Sequence, residues 1–356
     1  MKLPILLAVV WGALSGTSAW AQPYSVAKAV SSDAGQVALI VLRSEAGGVE
    51  AAIAPEKGGE LSSLRVRRRG KWVEMLYLGR DYSPRDDWTG KAPFLWPATG
   101  RNFPPELEKR RQAGEVFHDG AWTWKGKRYP MAIHGFARDF PWEAGEKGAN
   151  GRRARAVLSF RDNERTRKMY PFGFHNTVEY RLSGRTLEIR YTIWAAESNQ
   201  DAMPFSLGNH ITFNVPLAGG SEAGKMLLLT PSGEELLKTD YGLPTGEVMP
   251  RSHAYGVELR NFERRRAVSL TRYRGDPLVL LQDPGGMEVR LSHSATRLPP
   301  QPVVLFNLWG DAEAGFFSPE PWVGLQNSLV LEKGLIYLAP GEKFEWTIVV
   351  KVSVGE

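Results

Sequence analysis

The chain has 356 residues, a formal net charge of +6 and no cysteine. The lack of cysteine excludes disulfides, thiol nucleophiles and thiolate metal sites. Its 37 glycines and 24 prolines exceed their average joint share of about 12% and favour short strands and turns over long helices. The arginines come in short bursts beside turn signals, at 67–69, 152–153 and 264–266, and a nucleic-acid partner is not expected because its binding needs basic residues gathered on one face.

The first 21 residues have the pattern of a secretory signal peptide. Lys2 precedes a mostly apolar stretch, residues 3–14, and Ala19-Trp20-Ala21 fits an A-x-A cleavage site. The apolar stretch is shorter than the ~20 residues of a spanning helix, which disfavours an uncleaved membrane anchor. We expect cleavage after Ala21, export to the periplasm or beyond, and no membrane anchor on the mature chain.

Apolar and polar residues alternate with a period of two along most of the remaining chain, which predicts β-strands. The clearest case is a hairpin, with strands at 178–182 and 187–193 around a Ser-Gly-Arg turn. A C-terminal strand is predicted over 344–352. Further strand-like runs, most of them bounded by turn residues, lie at 37–42, 62–67, 72–78, 154–160, 226–230, 267–271, 278–281, 287–291 and 302–308.

One short helix is predicted, at Glu106–Gln112, after Pro104-Pro105 in a charged stretch that indicates a surface insertion. Residues 22–356 contain no linker and no repeat of fixed period. We therefore expect one all-β domain over 22–356, with mainly antiparallel strands in sheets packed face to face.

Two of the six histidines stand beside glycine and aromatic residues. His134 lies in MAIHGFARDFPWE and His210 in FSLGNHITFNVPL. Glycine allows close backbone approach to a ligand, so both are candidate site residues, although either alone is more often a satisfied core residue. The other four lie in polar or turn-like contexts and are expected to be structural or exposed: His118, His175, His253 and His293.

The segment FFSPEPWVGLQNS carries the candidate carboxylate, Glu320. Pro319 and Pro321 fix the backbone on both sides, and Trp322 offers an aromatic face for stacking on a sugar ring. Apolar surroundings would raise the carboxyl pKa toward that of a useful base. We interpret the segment as a loop that presents Glu320; an exposed glutamate in a rigid turn is the alternative.

These motifs resemble, in the same order, those of the aldose 1-epimerase or galactose mutarotase-like superfamily. The resemblance covers most of the chain and implies a β-supersandwich fold and an active site that needs neither cofactor nor metal. The segments that carry it are APEKGGELSSLRV, similar to the opening strand pair; PFLWPATGRN, to the Pro-x-x-Gly-Arg segment; HGFARDFPWE, to the H-G-F-x-R stretch; GNHITFNVPL, to the second histidine motif; GLPTGE, to another common segment; and SPEPWVG, to the E-P-W-x-G variant around the catalytic glutamate.

The resemblance also implies roles. Glu320 would be the general base and His210 the general acid of an enzyme that interconverts the α and β anomers of a free aldose. His134 and Arg101 would hold the sugar hydroxyls or ring oxygen. For His210 to act as the acid its pKa should be raised, which a neighbouring Glu320 would do.

The chain departs from the family pattern in places. Ile211 stands where proline usually follows the second histidine, and the family's binding aspartate has two weak counterparts, Asp240 and Asp283. The segment Phe103–His118 matches no family motif. Trp96, Phe213 and Trp322 would provide aromatic walls for the sugar, and each fits an ordinary core residue equally well.

Three other functions stay open. Supersandwich domains also serve as non-catalytic carbohydrate-binding modules, but the presence of both histidines and Glu320 favours an enzyme. A hexose-6-phosphate 1-epimerase would use Arg101 and Arg138 on the phosphate, although export argues against a phosphorylated substrate. A polysaccharide lyase or glycosidase is the third; a glycosidase needs two carboxylates facing one bond, and only Glu320 is a strong candidate.

Overall fold

The computed structural model describes residues 23–31, 36–85, 89–251 and 253–355. The predicted signal peptide, residues 1–21, lies outside the described residues. The strands, numbered in chain order, are β1 (Tyr24–Val30), β2 (Ala38–Ser44), β3 (Val49–Ala54), β4 (Glu60–Arg68), β5 (Lys71–Glu74), β6 (Phe94–Leu95), β7 (Gly120–Trp124), β8 (Lys127–Met131), β9 (Glu143–Ala149), β10 (Ala154–Arg161), β11 (Phe174–Ser183), β12 (Thr186–Ala195), β13 (Met203–Phe205), β14 (Leu207–Asn209), β15 (Phe213–Asn214), β16 (Leu227–Thr230), β17 (Ser232–Lys238), β18 (Pro244–Pro250), β19 (His253–Glu258), β20 (Val268–Tyr273), β21 (Leu278–Gln282), β22 (Met287–Ala295), β23 (Val304–Asp311), β24 (Phe316–Gly324), β25 (Ile336–Leu338) and β26 (Lys343–Val354).

Three antiparallel sheets hold most of these strands. A nine-stranded sheet has the order β19-β16-β21-β22-β26-β12-β11-β10-β9, and an eight-stranded sheet has the order β18-β17-β20-β23-β24-β14-β6, with β15 also pairing with β24. A five-stranded sheet runs β1-β2-β3-β4-β5, and the pairs β7-β8 and β13-β25 form small sheets. The all-β, mainly antiparallel architecture predicted from the alternation is confirmed.

Alternating residues of the long strands face the core. In β26, Phe344, Trp346, Ile348 and Val350 are buried, and the residues between them are more exposed. Trp346 lies opposite Tyr191 of β12, and their rings stack with centroids 5.5 Å apart. The period of two in the sequence is therefore the period with which side chains enter the core.

The core contains a group of aromatic rings around Trp96. Its indole packs against Phe136, Tyr170 and Phe174, with ring centroids 5.7, 5.4 and 4.4 Å away. Trp96 and Phe213 are both fully buried, so these two expected sugar walls belong to the core. Large aromatic side chains contribute most by removing apolar area from water, and that contribution explains both residues.

Helices are few and short in the described part of the chain: α1 (Pro105–Gln112), α2 (Glu164–Arg167) and α3 (Ser328–Leu331), with 3-10 turns at Ala137–Asp139, Ala223–Lys225 and Leu259–Asn261. The predicted helix corresponds to α1, which starts one residue earlier and ends at Gln112 as expected. Its proline at the first position suits a helix start, and none of its residues is buried, as a surface insertion requires. Among the described residues, no helix has the length and apolarity needed to cross a membrane.

Candidate active site

Glu320 lies in the middle of strand β24, not in a loop. All nine residues of this strand are buried, so the prediction of a presenting loop was wrong. β15 pairs with β24 at Phe316 and Phe317, whereas β14 pairs with it at Trp322 and Val323. On the edge of β24 that faces β14 and β15, residues 318–321 lie between these two pairings. Proline lacks the N–H that a ladder needs, and Pro319 and Pro321 stand where β24 makes no ladder with β14 or β15.

His210 lies at this break in the sheet. It belongs to residues 210–212, which join β14 to β15 opposite the proline-flanked part of β24. Its backbone N–H donates to Pro93 O at 3.0 Å, and Thr212 N–H donates to Lys91 O at 2.8 Å. The imidazole Nε2 is 3.5 Å from Oε1 of Glu320. The sheet thus brings together two residues that are 110 positions apart in the chain.

The Glu320 carboxylate accepts two further hydrogen bonds. Asn307 Nδ2 donates to Oε1 at 2.9 Å, and the Trp322 indole N–H donates to Oε2 at 3.1 Å. The side chain is 1% exposed, and that of His210 is 8% exposed. A carboxyl with both oxygens held in this way has a fixed orientation toward the imidazole.

Burial moves the two pKa values apart. It raises the pKa of Glu320 to about 8, and the hydrogen bonds from Asn307 and Trp322 and the charge of Lys238 oppose this rise. Burial, assisted by the positive charge of Arg138, lowers the pKa of His210 to about 3. The expectation that Glu320 would raise the pKa of His210 was therefore wrong, because desolvation of the imidazolium dominates.

The proton of the pair consequently resides on Glu320 at neutral pH. Between pH values of about 3 and 8, the two groups together carry one proton. Coupled groups exchange such a proton as a unit. Transfer of this proton to His210 would produce a carboxylate next to an imidazolium.

His134 is the second imidazole of the site. Its ring centroid is 5.5 Å from that of His210 and 6.0 Å from that of Trp322, edge-on in both cases. Gly100 N–H donates to its Nδ1 at 3.0 Å, so in the neutral ring the proton is on Nε2. Burial and the charges of Arg138, His210 and Arg101 lower the pKa of His134 well below its usual value. Neutral His134 therefore offers Nε2–H as a hydrogen-bond donor.

Arg101 follows Gly100 and is partly buried. Its Nη2 is 3.2 Å from Nδ1 of His118, and a Cβ at Gly242 would lie 3.1 Å from its Nη1. Among the described residues, Nε of Arg101 is buried without a hydrogen-bond partner. Burial and the charge of Arg111 lower the pKa of Arg101. The guanidinium is thus positioned near His134 with donor capacity that the protein does not use.

The segment Phe103–His118 lies beside this arginine. Tyr241 Oη donates a hydrogen bond to Glu108 of α1 at 3.0 Å and accepts one from Gln112 Nε2 at 3.3 Å. His118 is exposed, as expected, and its contact with Arg101 places it beside the candidate site. The segment therefore contacts both Arg101, through His118, and the turn that carries Tyr241.

The aromatic residues differ from the expected walls. Trp322 is fully buried among Leu95, Leu236, Val304 and Leu325, and its indole N–H orients Glu320. Trp309, which the sequence analysis did not single out, is partly exposed, and its ring lies edge-on to His210 with centroids 5.6 Å apart. Trp309 therefore presents a partly exposed aromatic ring beside His210.

The two candidate aspartates lie in different environments. Asp240 is exposed in the turn between β17 and β18, next to Tyr241 and Gly242 and hence near Arg101. Asp283 is buried at the turn after β21, where its carboxylate accepts the N–H groups of Ala218 at 3.0 Å and Gly285 at 2.6 Å. These bonds assign a structural role to Asp283.

Lys238 and Asn307 were missed by the sequence analysis. Asn307 interrupts the apolar run VVLFNLWG, and Lys238 ends the run ELLK. A polar residue inside an apolar strand was the only signal, and it does not say which strand lies opposite. The pairing of β23 with β24 places Asn307 directly across from Glu320.

The fold and the site define a galactose mutarotase-like β-supersandwich. A galactose mutarotase-like protein from Clostridium acetobutylicum has a TM-score of 0.71 to this chain at 19% identity, with 93% of this chain and 99% of that protein covered. A similar protein from Lactobacillus casei has a TM-score of 0.68 at 21% identity, with coverages of 88% and 100%. Galactose 1-epimerase from Lactobacillus acidophilus has a TM-score of 0.64 at 17% identity, with coverages of 94% and 99%.

The family profile described as aldose 1-epimerase matches residues 39–351. The chain therefore belongs to the aldose 1-epimerase family, as the sequence motifs indicated. No curated protein matches the chain significantly.

Proposed function

We propose that the chain is an aldose 1-epimerase that interconverts the α and β anomers of a free aldose. The observation that carries this proposal is the pair formed by His210 and Glu320, whose Nε2 and Oε1 atoms are 3.5 Å apart in a largely buried site. Mutarotation needs one group that takes a proton from the C1 hydroxyl and another that gives a proton to the ring oxygen. The pair supplies both groups, with one proton between them.

The reaction follows from the position of that proton. A C1 hydroxyl that donates a hydrogen bond to Glu320 favours the carboxylate form, so the proton moves to His210. Glu320 then accepts the C1 proton while imidazolium His210 protonates the ring oxygen, and the C1–O5 bond breaks. After rotation about C1–C2, the aldehyde is attacked from its other face and both proton transfers reverse. The enzyme returns to its starting state without a net proton change.

The surrounding residues would hold the sugar. His134 Nε2–H and the Arg101 guanidinium donate hydrogen bonds to its oxygens, and partly exposed Trp309 packs against an apolar face of the ring. Asp240 is near Arg101 and remains a candidate for a hydroxyl contact. We further propose that residues 1–21 are removed and that the mature protein acts on sugars in the periplasm or outside the cell.

Polarimetry tests the proposed activity. Freshly dissolved α-anomers of glucose, galactose, other aldoses and glucose 6-phosphate should be followed with purified protein that begins at Gln22. Acceleration with at least one free aldose is the expected result. Binding of an aldose without acceleration for any of them would favour the carbohydrate-binding alternative, and acceleration for the phosphate alone would favour the hexose-6-phosphate epimerase.

A further inference from the structure

A row of polar side chains crosses four neighbouring strands of the eight-stranded sheet and ends at Glu320. Ser269 of β20 is paired with Asn307 of β23, and Asn307 is paired with Glu320 of β24. Leu236 of β17 is paired with Ser269, and Lys238 lies two residues further along β17. Residues that are paired directly point to the same face of a sheet, so Ser269, Asn307 and Glu320 share one face. The register of β17 is irregular between Leu236 and Lys238, and the contact of Lys238 Nζ with Asn307 Oδ1 brings this side chain to the same face.

Hydrogen bonds run along this row. Asn307 Oδ1 accepts from Lys238 Nζ at 3.2 Å and from Ser269 Oγ at 3.0 Å. With the oxygen occupied by two donors, the amide nitrogen must point the other way, and it donates to Glu320 at 2.9 Å. The orientation of the amide follows from its partners. Lys238 and Ser269 thus determine which atom of Asn307 faces the carboxylate.

The ammonium group is in an unusual place for a lysine. Burial lowers the pKa of Lys238, and the charges of Glu320 and Glu235 oppose this decrease. Keeping a lysine there costs free energy unless its charge has a partner. The charged groups that act on Lys238 are Glu320 on β24, Glu235 on β17, Arg266 just before β20, and Arg101 after β6. Of the two carboxylates, Glu320 has the larger effect.

We propose that Lys238 is a positioning residue for Glu320: it holds the Asn307 amide in the orientation that donates to the carboxylate, and its charge favours the ionised form of that carboxylate. The proposal rests on the proposed function, because it concerns the base of that reaction. Lys238 acts through Asn307 and is therefore distinct from the residues that contact the sugar. Nothing in the sequence motifs indicated this role.

The direct test is a titration of Glu320 that does not depend on activity. Protein labelled with ¹³C at the glutamate side-chain carboxyl is followed by NMR, and the Glu320 signal is assigned by its loss in Glu320→Gln. In Lys238→Met the midpoint should rise by about one pH unit, at the lower end of the change that a neighbouring charge produces. Lys238→Arg keeps the charge and should keep the midpoint. Lys225→Met, which removes a surface lysine paired with Glu222 at 2.9 Å, is the matched control and should not change it.

An unchanged Glu320 midpoint in folded Lys238→Met would overturn the proposal. If Lys238→Met does not fold, Lys238→Gln serves instead, since it removes the charge while keeping a donor, and the same midpoint rise is expected. In the polarimetric assay at pH 7, kcat of Lys238→Met should fall about tenfold with little change in KM, and Lys238→Arg should restore it. Without wild-type mutarotation the proposed function fails, whereas the NMR titration still decides whether Lys238 controls Glu320.

Discussion

Gly100 and His134 are joined by two hydrogen bonds of opposite direction. His134 N–H donates to Gly100 O at 2.9 Å, and Gly100 N–H donates to the imidazole Nδ1 at 3.0 Å. His134 has a φ of +66°, a left-handed conformation that is uncommon for residues other than glycine and in which Asn, Asp and His are enriched. The two bonds fix both the backbone and the tautomer, so that Nε2–H faces the site.

His134→Asn should weaken sugar binding without disturbing the fold. Asparagine tolerates positive φ, and its Oδ1 can replace Nδ1 as the acceptor for Gly100 N–H, but it has no donor at the position of Nε2. Losing one hydrogen bond to a ligand costs about 1.5 kcal/mol, or roughly a tenfold rise in KM with a smaller change in kcat. Steady-state polarimetry measures both constants. A fall in kcat alone would contradict a binding role for His134.

Gly135→Ala should disrupt the site through the backbone. A Cβ at Gly135 would lie 2.2 Å from Trp96 O, and the residue has a φ of +73°. Gly126 provides a matched control, because its φ is +76° and a Cβ there would meet nothing within 4 Å. Urea unfolding should show a loss of about 1 kcal/mol for Gly126→Ala, from the positive φ alone.

The loss for Gly135→Ala should exceed that of Gly126→Ala by at least about 1–2 kcal/mol, because the Trp96 carbonyl must also move. Mutarotase activity should fall together with stability, because His134 directly precedes Gly135 in the chain. Equal stability of the two variants would show that the contact between Gly135 and Trp96 relaxes at no cost.

The pairing of strands explains how much of this protein could be predicted from sequence. Alternation depends on local burial, so strands such as β11, β12 and β26 were predicted close to their observed positions. The motifs also pointed to His134, His210 and Glu320, which the sheet brings together. Asn307 and Lys238 could not be predicted, because their role depends on which strands are neighbours and on the register between them. The rise in the pKa of Glu320 was expected from its apolar surroundings, whereas the decrease for His210 was not, because the sequence around His210 did not reveal how deeply the imidazole is buried.

The rate of mutarotation should depend on pH as the shared proton of Glu320 and His210 dictates. The active form of the pair carries one proton. The pair loses this proton at a pH of about 8 and gains a second proton below a pH of about 3. We expect kcat/KM to change little between pH 5 and 7 and to fall about tenfold per pH unit well above 8. A profile that instead falls above pH 6.5 would indicate a histidine with an ordinary pKa.

His210→Asn should lose most of the activity at every pH, because no group remains that can protonate the ring oxygen. A loss of 10²–10⁴-fold, on the order of that for one general acid or base, is expected. His175→Asn is a suitable control, since His175 stacks on Trp194 on the long hairpin with centroids 5.1 Å apart. Wild-type rates in His210→Asn would remove His210 from the mechanism.

The free energy of unfolding should also depend on pH because the Glu320 carboxyl is buried. Because the pKa of Glu320 is raised to about 8 in the folded protein, the folded state binds a proton more tightly than the unfolded state. The stabilisation is therefore complete below a pH of about 4.5 and is lost as pH rises through 8. Between pH 5 and 9 the free energy of unfolding of the wild type should fall by about 2–4 kcal/mol relative to Glu320→Gln. The contribution of His210 is common to both proteins and cancels in the comparison. If the free energies of unfolding of the two proteins, measured with denaturant, change in parallel with pH, Glu320 ionises normally.

Glu320→Gln should separate chemistry from binding. The amide keeps the size of the side chain and can still accept a hydrogen bond from Asn307 or from Trp322, although not from both, so a loss of about 1 kcal/mol in stability is expected at low pH. It cannot accept the C1 proton, and turnover should fall by 10²–10⁴-fold, or about 3–5 kcal/mol in the activation free energy.

Sugar affinity, measured by calorimetry, should change less than threefold, on the order of 0.6 kcal/mol, because His134, Arg101 and Trp309 are unchanged. A variant that folds, binds sugar and equilibrates anomers at the wild-type rate would place the base elsewhere. A variant that loses binding together with activity would show that the carboxylate holds the sugar instead of transferring its proton.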